Sequence, residues 1–578
     1  MSEEHIVDIP KQRFAPWLME PMLRNKGIYG KVALAAVLIN IFALITSIFT
    51  MVVYDRVIPN NATSSLVALS IGLAIVIMFD FALKTIRAYF VDIAGARIDR
   101  EVGETVFARL LAIRLDQKKG STGALAGVIR ELETLRDFFA SATLTAIVDV
   151  PFIFITLAVI AMIGGVVVLV PLAMVPLVIV AGFLAQPAMD RLSAKAMGQG
   201  LLKQGVLIEA IGGLETVKTS GAAPILTRRW LGAIEEHSDT SLRQRLVSNI
   251  AITIAGSAQT ISYAGVVIVG VGLIASQDLT MGGLIACSIL GGRAVAPLGQ
   301  IAGLLSRVTA TRTAYRQLNG LMESAPEGPS GEPITLARTE GKIEFRNVHF
   351  RYPGASEKTL EGVTFTLHPG EHAALLGRVG SGKSTIAKLL LGLYEPEEGV
   401  ILLDGTDIRQ LDPMDLRRKI GSSMQESLLL SGTVRENIVL GRDGIGDEEM
   451  IRAAEISGTH QFLGQIANGY DRRLLDRGEG LSGGQRQSIA IARALVGKPQ
   501  VLVFDEPSSA MDQQTETGLI DRLDKELEGR TFLVITHRTP LLRLAGRVII
   551  VERGKIVADG PRDKVMSALN NRPKVAAI

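Results

Sequence analysis

The chain has 578 residues, a net charge of +3 and a mean hydropathy of +0.31. Its length exceeds a single core, its near-balanced charge without a long basic run argues against a nucleic-acid partner, and its hydropathy is high for a wholly soluble protein. Cys287 is the single cysteine, which excludes an intrachain disulfide and a multi-cysteine metal site.

The chain opens on "MSEEHIVDIPKQRF", which carries acidic residues and no apolar centre and so is not a signal peptide. "FAPWLMEPMLRNKGIYG" follows, readable as an interfacial helix anchored by Trp17 or as a plain elbow before the membrane. Six apolar runs near the ~20 residues that span a bilayer come next. They lie at 31–53, 65–83, 142–163, 165–186, 249–274 and 281–304. Pro151, Pro171, Pro176 and Pro187 fit within them as kinks or helix ends. Cys287 sits in the last run, where it reads as a small packing residue.

Two connections, 84–140 and 187–248, are long, charged and helix-prone. A pair of antiparallel helices of about 28 residues in each would project roughly 40 Å from the membrane. "GSTGALAG" (Gly120–Gly127) and "KTSGAAP" (Lys218–Pro224) are the expected turns at their tips. Lys and Arg concentrate in the N-terminus and in these connections, which places both in the cytoplasm. Six crossings also return the chain to the cytoplasm, where a soluble half must sit. Asp80, Asp149 and Arg293 fall inside apolar runs, toward their cytoplasmic ends. A charge in lipid is costly, so these three should pair across helices or face a water-filled cavity, and both readings stay open.

Residues 320–341 are rich in Pro, Gly and Ser and read as a linker. Short strands then alternate with helices. Gly377, Arg378, Val379, Gly380, Ser381, Gly382, Lys383 and Ser384 fit G-x-x-x-x-G-K-[ST] in full, between the strand "HAALL" and the helix "STIAKLLLG" that contains Thr385. Such a loop turns backbone N–H groups and a helix N-terminus toward phosphate oxygens. Lys383 is placed to reach the β- and γ-phosphates and Ser384 to ligate Mg²⁺. "VLVFDEPSSAMD" supplies a buried strand ending in Asp505 and Glu506. Asp505 suits a Mg²⁺ ligand, and Glu506 suits a base that polarises the attacking water. "LSGGQ", Leu481, Ser482, Gly483, Gly484 and Gln485, exposes a second set of donors at a helix start. One ATP has no use for two helix N-termini from one domain. A head-to-tail pair of chains reconciles them, each ATP lying between one chain's phosphate loop and the other's signature.

Glycine loop, LSGGQ and Asp-Glu strand, in that order behind six spans, resemble the ATP-binding cassette family over the whole chain. The resemblance implies a six-helix, all-α membrane domain fused to a cytoplasmic α/β P-loop ATPase with a helical subdomain. The corresponding ranges are 1–30 (N-terminal segment), 31–319 (membrane domain), 320–341 (linker) and 342–578 (ATPase). It further implies that Tyr352 stacks on adenine, that Gln425 senses Mg²⁺, and that His537 is the switch histidine near the γ-phosphate. Asp512 would close the loop crossing the dimer interface, and "LLDRGEG" (Leu474–Gly480) would touch the coupling tips. One cassette behind six spans makes a half-transporter, and with every nucleotide element intact a homodimer is the simpler expectation.

Stretches such as "FDFALKTIRAYFVDIAG" and "LTMGGLIACSILGGRAVAPLGQIAGLL" are similar to type I secretion permease/ATPases. That similarity implies an inner-membrane exporter of unfolded protein or peptide, acting by alternating access with a periplasmic adaptor and an outer-membrane channel protein. Many such relatives carry an N-terminal peptidase domain; about thirty residues precede the first span here, too few for a domain. Export of lipids or amphipathic drugs is the alternative within the class, and an ATP-gated channel or regulator the alternative outside it.

Overall fold

The computed structural model describes residues 14–117, 122–139, 142–329, 331–426, 428–465 and 467–570. It divides into two compact units, Met1–Ala112 with Lys119–Ser324, and Ile113–Lys118 with Ala325–Ile578. The second boundary falls inside the stretch expected as a linker.

The first unit is helical: α1 (Pro16–Arg24), α2 (Lys26–Val52), α3 (Thr63–Leu111), α4 (Thr122–Phe139), α5 (Ala142–Gly164), α6 (Leu169–Gly212), α7 (Leu214–Thr219), α8 (Ala223–Ala275) and α9 (Met281–Met322). The six apolar runs lie in α2, α3, α5, α6, α8 and α9. α3, α6 and α8 contain 49, 44 and 53 residues. At 1.5 Å per residue they measure about 74, 66 and 80 Å, more than twice the ~30 Å hydrocarbon layer. Each therefore crosses the membrane and continues into its long connection as one helix. By length and hydropathy Lys26–Val57, Thr63–Leu111, Val150–Gly212 and Ala223–Ala275 are long enough to span, and Met281–Pro297 is a shorter apolar helix. Val150–Gly212 contains two spans, because it runs from α5 through the 3₁₀ turn Gly165–Val168 into α6. Large apolar side chains such as Phe81, Leu184 and Ile268 point outward, as lipid-facing residues do.

The first tip differs from expectation. α3 ends at Leu111, where the Ala112 N–H is shared between the Ala108 and Arg109 carbonyls. Gly120 and Ser121 of the expected tip lie outside the described residues, whereas Gly123 and Gly127 are helical, within α4 from Thr122. Tertiary contacts override glycine's weak helix propensity. In the second unit Ile113 bridges Pro326, and Arg114 pairs with Asp116 at 2.6 Å and with Glu395 at 2.8 Å. The second tip, Ser220–Ala222 after α7, falls within the stretch expected.

Trp17 is held by protein. Its ring stacks on Tyr315 of α9 at 5.8 Å, and its Nε1 donates to Asn319 Oδ1 at 3.1 Å. Tyr315 Oη accepts from the Ala15 N–H at 2.8 Å, and Phe14 packs edge-on against the same ring. At the other end of the spans, α2 passes into a π-helical turn, Val53–Val57, that aims Asp55 at the start of α9. Asp55 accepts from Thr280 Oγ1 at 2.6 Å and from the Gly282 N–H at 2.8 Å, while Thr280 itself caps α9. A carboxylate at a helix N-terminus is favourable. Asp55→Ala is expected to destabilise the detergent-solubilised protein by about 1 kcal/mol, read as a lower melting temperature, with Asp55→Asn losing less.

In the second unit an antiparallel sheet orders its strands β2-β1-β4-β5, from β1 (Ile343–Phe350), β2 (Leu360–Leu367), β4 (Glu398–Leu403) and β5 (Thr406–Asp407). A six-stranded sheet orders β12-β11-β3-β10-β9-β6, from β3 (His372–Leu376), β6 (Ile420–Ser423), β9 (Val501–Asp505), β10 (Thr531–Ile535), β11 (Arg547–Glu552) and β12 (Lys555–Pro561). All its neighbours are parallel except β12. Strands β9 and β10 are apolar without alternation because both faces are covered. Val501, Val503, Leu533 and Ile535 enter one core, while Leu502, Phe504, Phe532 and Val534 enter the other. α10 (Lys383–Leu390) follows β3, and α11 (Pro413–Lys419) precedes β6. The pair β7 (Gly432–Thr433) and β8 (Arg473–Leu474) borders a helical part made of α12 (Val434–Ile438), α13 (Asp447–Ser457), α14 (Thr459–Leu463) and α15 (Gly483–Leu495). α16 (Gln513–Glu526) and α17 (Arg562–Asn570) complete the unit.

Candidate nucleotide-binding site

Strand order positions the site. β10 lies between β3 and β9, so the loop after β3, Asp505 and Glu506 at the end of β9, and His537 beyond β10 emerge side by side. This is the carboxyl edge where parallel sheets bind ligands. A cavity of about 380 Å³ opens there, lined by Tyr352, Thr359, Val379 to Thr385, Gln425, Asp505, Glu506, Ser509 and His537. Sequence reasoning singled out all of these except Thr359 and Ser509. Arg378 and Gly377 contribute backbone carbonyls, which accept from Lys383 Nζ at 2.9 and 2.7 Å.

The local sequence explains the loop. Gly382 has φ +101°, a conformation that side chains rarely adopt, and it starts α10 directly under the loop. Burial pushes the Lys383 ammonium below its ordinary range, and Glu506 and Asp505 hold it up in part. Buried Asp505 is pushed above the usual carboxylate range, first by desolvation; the Ser384 hydroxyl beside it opposes this. Neither Asp505 oxygen has a partner of hydrogen-bond geometry, and Ser381 Oγ is likewise buried and unpartnered. A buried anionic carboxylate beside a serine hydroxyl is a donor set for a hard divalent cation.

Glu506 is strained, at φ +50°. Its N–H donates to the Ile535 carbonyl at 2.8 Å. Oε1 lies 2.7 Å from His537 Nδ1, which is the donor when the carboxylate is ionised, and Oε2 is buried without a partner. Tyr352 is held edge-on by Phe350 and Tyr394, and its hydroxyl lies 3.1 Å from Thr385 Oγ1.

Other expected residues stand apart. Leu481 to Gln485 do not line this cavity. Ser482 instead begins α15 with a capping box, accepting from the Gln485 N–H at 3.2 Å while Gln485 Oε1 accepts from the Ser482 N–H at 2.9 Å. Asp512 caps α16, accepting from the Thr515 N–H and Oγ1, both at 2.8 Å, and these bonds hold its carboxyl low. Leu475 in the Leu474–Gly480 stretch is exposed.

In the membrane unit Asp80 and Arg293 line one cavity of about 430 Å³ with Lys84 and Arg87. They do not pair directly among the described residues. Asp80 pairs with Lys84 at 2.6 Å, one helical turn on, and Arg293 donates to the Ala43 carbonyl. The Asp149 side chain lies outside the described residues.

Sequence reasoning passed over Gln487 and Arg538, which hold the loop after Glu506. The signal for Gln487 was present: it shares a helical face with Ile491, Ala494 and Leu495, all buried.

A helical membrane domain joined to a P-loop ATPase with its own signature helix defines an ABC-type export half-transporter. The profile of the ABC transporter transmembrane region matches residues 30–291, and that of the ABC transporter ATPase matches 360–509. The leukotoxin translocation ATP-binding protein LktB of a Pasteurella haemolytica-like species (strain 5943B) is 34% identical over 558 residues, 96% of this chain and 78% of its own. LktB of Mannheimia haemolytica is 33% identical over the same shares. The toxin RTX-I translocation ATP-binding protein of Actinobacillus pleuropneumoniae is 32% identical over 96% of this chain and 78% of its own. A solved bacterial Atm1-family ABC exporter with ATP bound has the same fold, with a TM-score of 0.84 over 97% of this chain and 99% of that one at 23% identity. The chain belongs to the ABC transporter family, in its type I secretion exporter branch. It is a multi-pass inner-membrane protein whose cytoplasmic domain binds ATP and couples its hydrolysis to transport.

Proposed function

We propose that two copies of this chain pair head to tail and move an unfolded secreted protein or peptide out of the cytoplasm by alternating access. A periplasmic adaptor and an outer-membrane channel carry it onward. The relatives are named for translocating leukotoxin and toxin RTX-I, and we carry over the class, a large polypeptide. The observation that supports pairing is the incomplete cavity: it collects the phosphate loop, Asp505, Glu506, Gln425 and His537, but no residue of Leu481–Gln485. In the pair, the partner's Ser482 to Gln485 complete each site, and Asp512 lies in the loop at the interface.

Lys383 and the loop N–H groups bind and orient the phosphates, and Tyr352 packs on adenine. Ser384, Gln425 and Asp505 would hold Mg²⁺, which when bound neutralises phosphate charge. Glu506 has one oxygen committed to His537 and the other unpartnered. The unpartnered oxygen takes a proton from the attacking water. Closure on nucleotide drives the outward opening, because each ATP contacts both chains only in the closed pair.

The test is the ATPase activity of the purified protein in nanodiscs, beside Glu506→Gln, with candidate C-terminal secretion-signal peptides, lipid A or amphipathic drugs added. Signal peptides are expected to change the Glu506-dependent rate and the others to leave it unchanged. A response to lipids or drugs alone sinks the polypeptide reading and leaves the ATP chemistry standing.

A further inference from the structure

The helix that carries the signature is bonded to the loop that carries Glu506. Gln487 lies one turn into α15 and is buried to 6% exposure. Its Nε2 donates to the Glu506 carbonyl at 3.3 Å and to Ser509 Oγ at 2.6 Å, and its Oε1 accepts from the Ala510 N–H at 2.9 Å. Among the described residues, Gln487 supplies the side-chain hydrogen bonds between α15 and this loop. The signature glycines press on the same place. A Cβ on Gly483 would lie 2.9 Å from Ala510 Cβ, and one on Gly484 would lie 3.1 Å from the Ala510 carbonyl oxygen. A side chain at Gly483 would require helix or loop to shift, and one at Gly484 would crowd the same backbone by a few tenths of an ångström.

The far edge of the loop is fixed independently. Arg538, next to His537, donates to the Ser509 carbonyl at 3.2 Å and to the Met511 carbonyl at 3.4 Å. It also pairs with Glu516 at 3.3 Å, and Glu516 accepts from Ser508 Oγ. Glu506 therefore stands in a strained backbone conformation between two grips. One comes from the segment just after β10 that carries His537 and Arg538, and the other from the signature helix. A strained residue keeps its conformation only while its surroundings enforce it.

We propose that Gln487 is a positioning residue that makes the aim of Glu506 in one site depend on the nucleotide held at the other. This rests on the paired-chain reading. There α15 touches the partner's ATP through Ser482 to Gln485, while Gln487 on the same rigid helix grips its own chain's Glu506 loop. Seating the signature on one nucleotide thus sets the hydrolytic carboxylate beside the second. Gln487 touches neither nucleotide.

The test measures ATP affinity, kcat, KM and the Hill coefficient of the full-length protein and of Gln487→Leu, Gln487→Glu and Ser509→Ala. Gln487→Leu removes all three bonds at similar volume. It is expected to keep ATP affinity within about twofold, to lose roughly tenfold in kcat, and to bring the Hill coefficient from near two toward one. Gln487→Glu keeps the acceptor for Ala510 and should recover part of kcat. Ser509→Ala removes one partner without touching α15, so it should show the same split more weakly, and it serves if Gln487→Leu does not fold. A cooperative wild type with unchanged kcat and Hill coefficient in Gln487→Leu and Ser509→Ala overturns the proposal. So does loss of affinity and kcat in proportion with no recovery by Glu. Non-cooperative wild-type hydrolysis without nucleotide-dependent association of two chains overturns the paired reading itself, and the coupling falls with it.

Discussion

Glu506→Gln should lower kcat for ATP hydrolysis by about a thousandfold while leaving ATP affinity within about threefold of wild type. The reasoning is local. Glutamine fills the same volume and can still meet His537, 2.7 Å from Oε1. What it cannot do is accept a proton through the second oxygen, which lies buried without a partner. A base contributes in the transition state and little to ground-state binding, so the loss belongs in kcat. The measurement pairs steady-state phosphate release with equilibrium nucleotide binding on one preparation. Retention of more than a tenth of the rate would remove Glu506 from the role of base and leave Asp505 as the carboxylate to test.

Lys383→Ala should show the opposite split. The ammonium rests on the Gly377 and Arg378 carbonyls at 2.7 and 2.9 Å, partly desolvated. These two carbonyls are its hydrogen-bond partners among the described residues, which leaves an ammonium donor for phosphate oxygens. Charge-assisted bonds to phosphate are strong, and their loss should weaken ATP binding by about 30- to 100-fold and abolish turnover at ordinary ATP concentrations. Stability should change by less than about 1 kcal/mol, because removing a partly buried charge also removes its desolvation cost. Titration with a fluorescent ATP analogue, beside a melting curve, checks both halves. Unchanged affinity would mean that the loop N–H groups alone hold the phosphates.

The site was legible where chemistry dictates residue type at fixed spacing. A loop of N–H donors demands glycines, a terminal lysine and a hydroxyl in sequence, and so Gly377 to Ser384 could be read directly. The membrane-embedded character of the first unit was equally open, because about twenty apolar residues in a row have few other uses. What escaped depends on long-range contacts. Nothing near Gly123–Gly127 announces that these glycines are helical, or that Ile113 bridges Pro326 and Arg114 pairs with Glu395, partners over two hundred residues away. The role of Trp17, interfacial anchor or part of a plain elbow, stayed open because its partners, Tyr315 and Asn319, stand some three hundred residues away. For Asp80 and Arg293 both a pair across helices and a shared cavity stood open; they line one cavity, and a lysine one turn on answers the aspartate. Gln487 was hidden by its neighbours, since a polar residue two places past a strong motif is easily absorbed into it.

The seat of Trp17 has a consequence for the order in which the chain is built. Its stacking partner and its hydrogen-bond acceptor both belong to the last transmembrane helix, 302 residues later in the case of Asn319. At roughly 5–20 residues per second, a ribosome delivers that helix tens of seconds after Trp17 has emerged. Throughout that time α1 can pack only against α2 and α3, and the Trp17 ring lacks both its stacking partner and its acceptor. Seating that ring is therefore among the last events in the birth of the membrane domain. It marks the moment when the final helix has arrived and the bundle is closed.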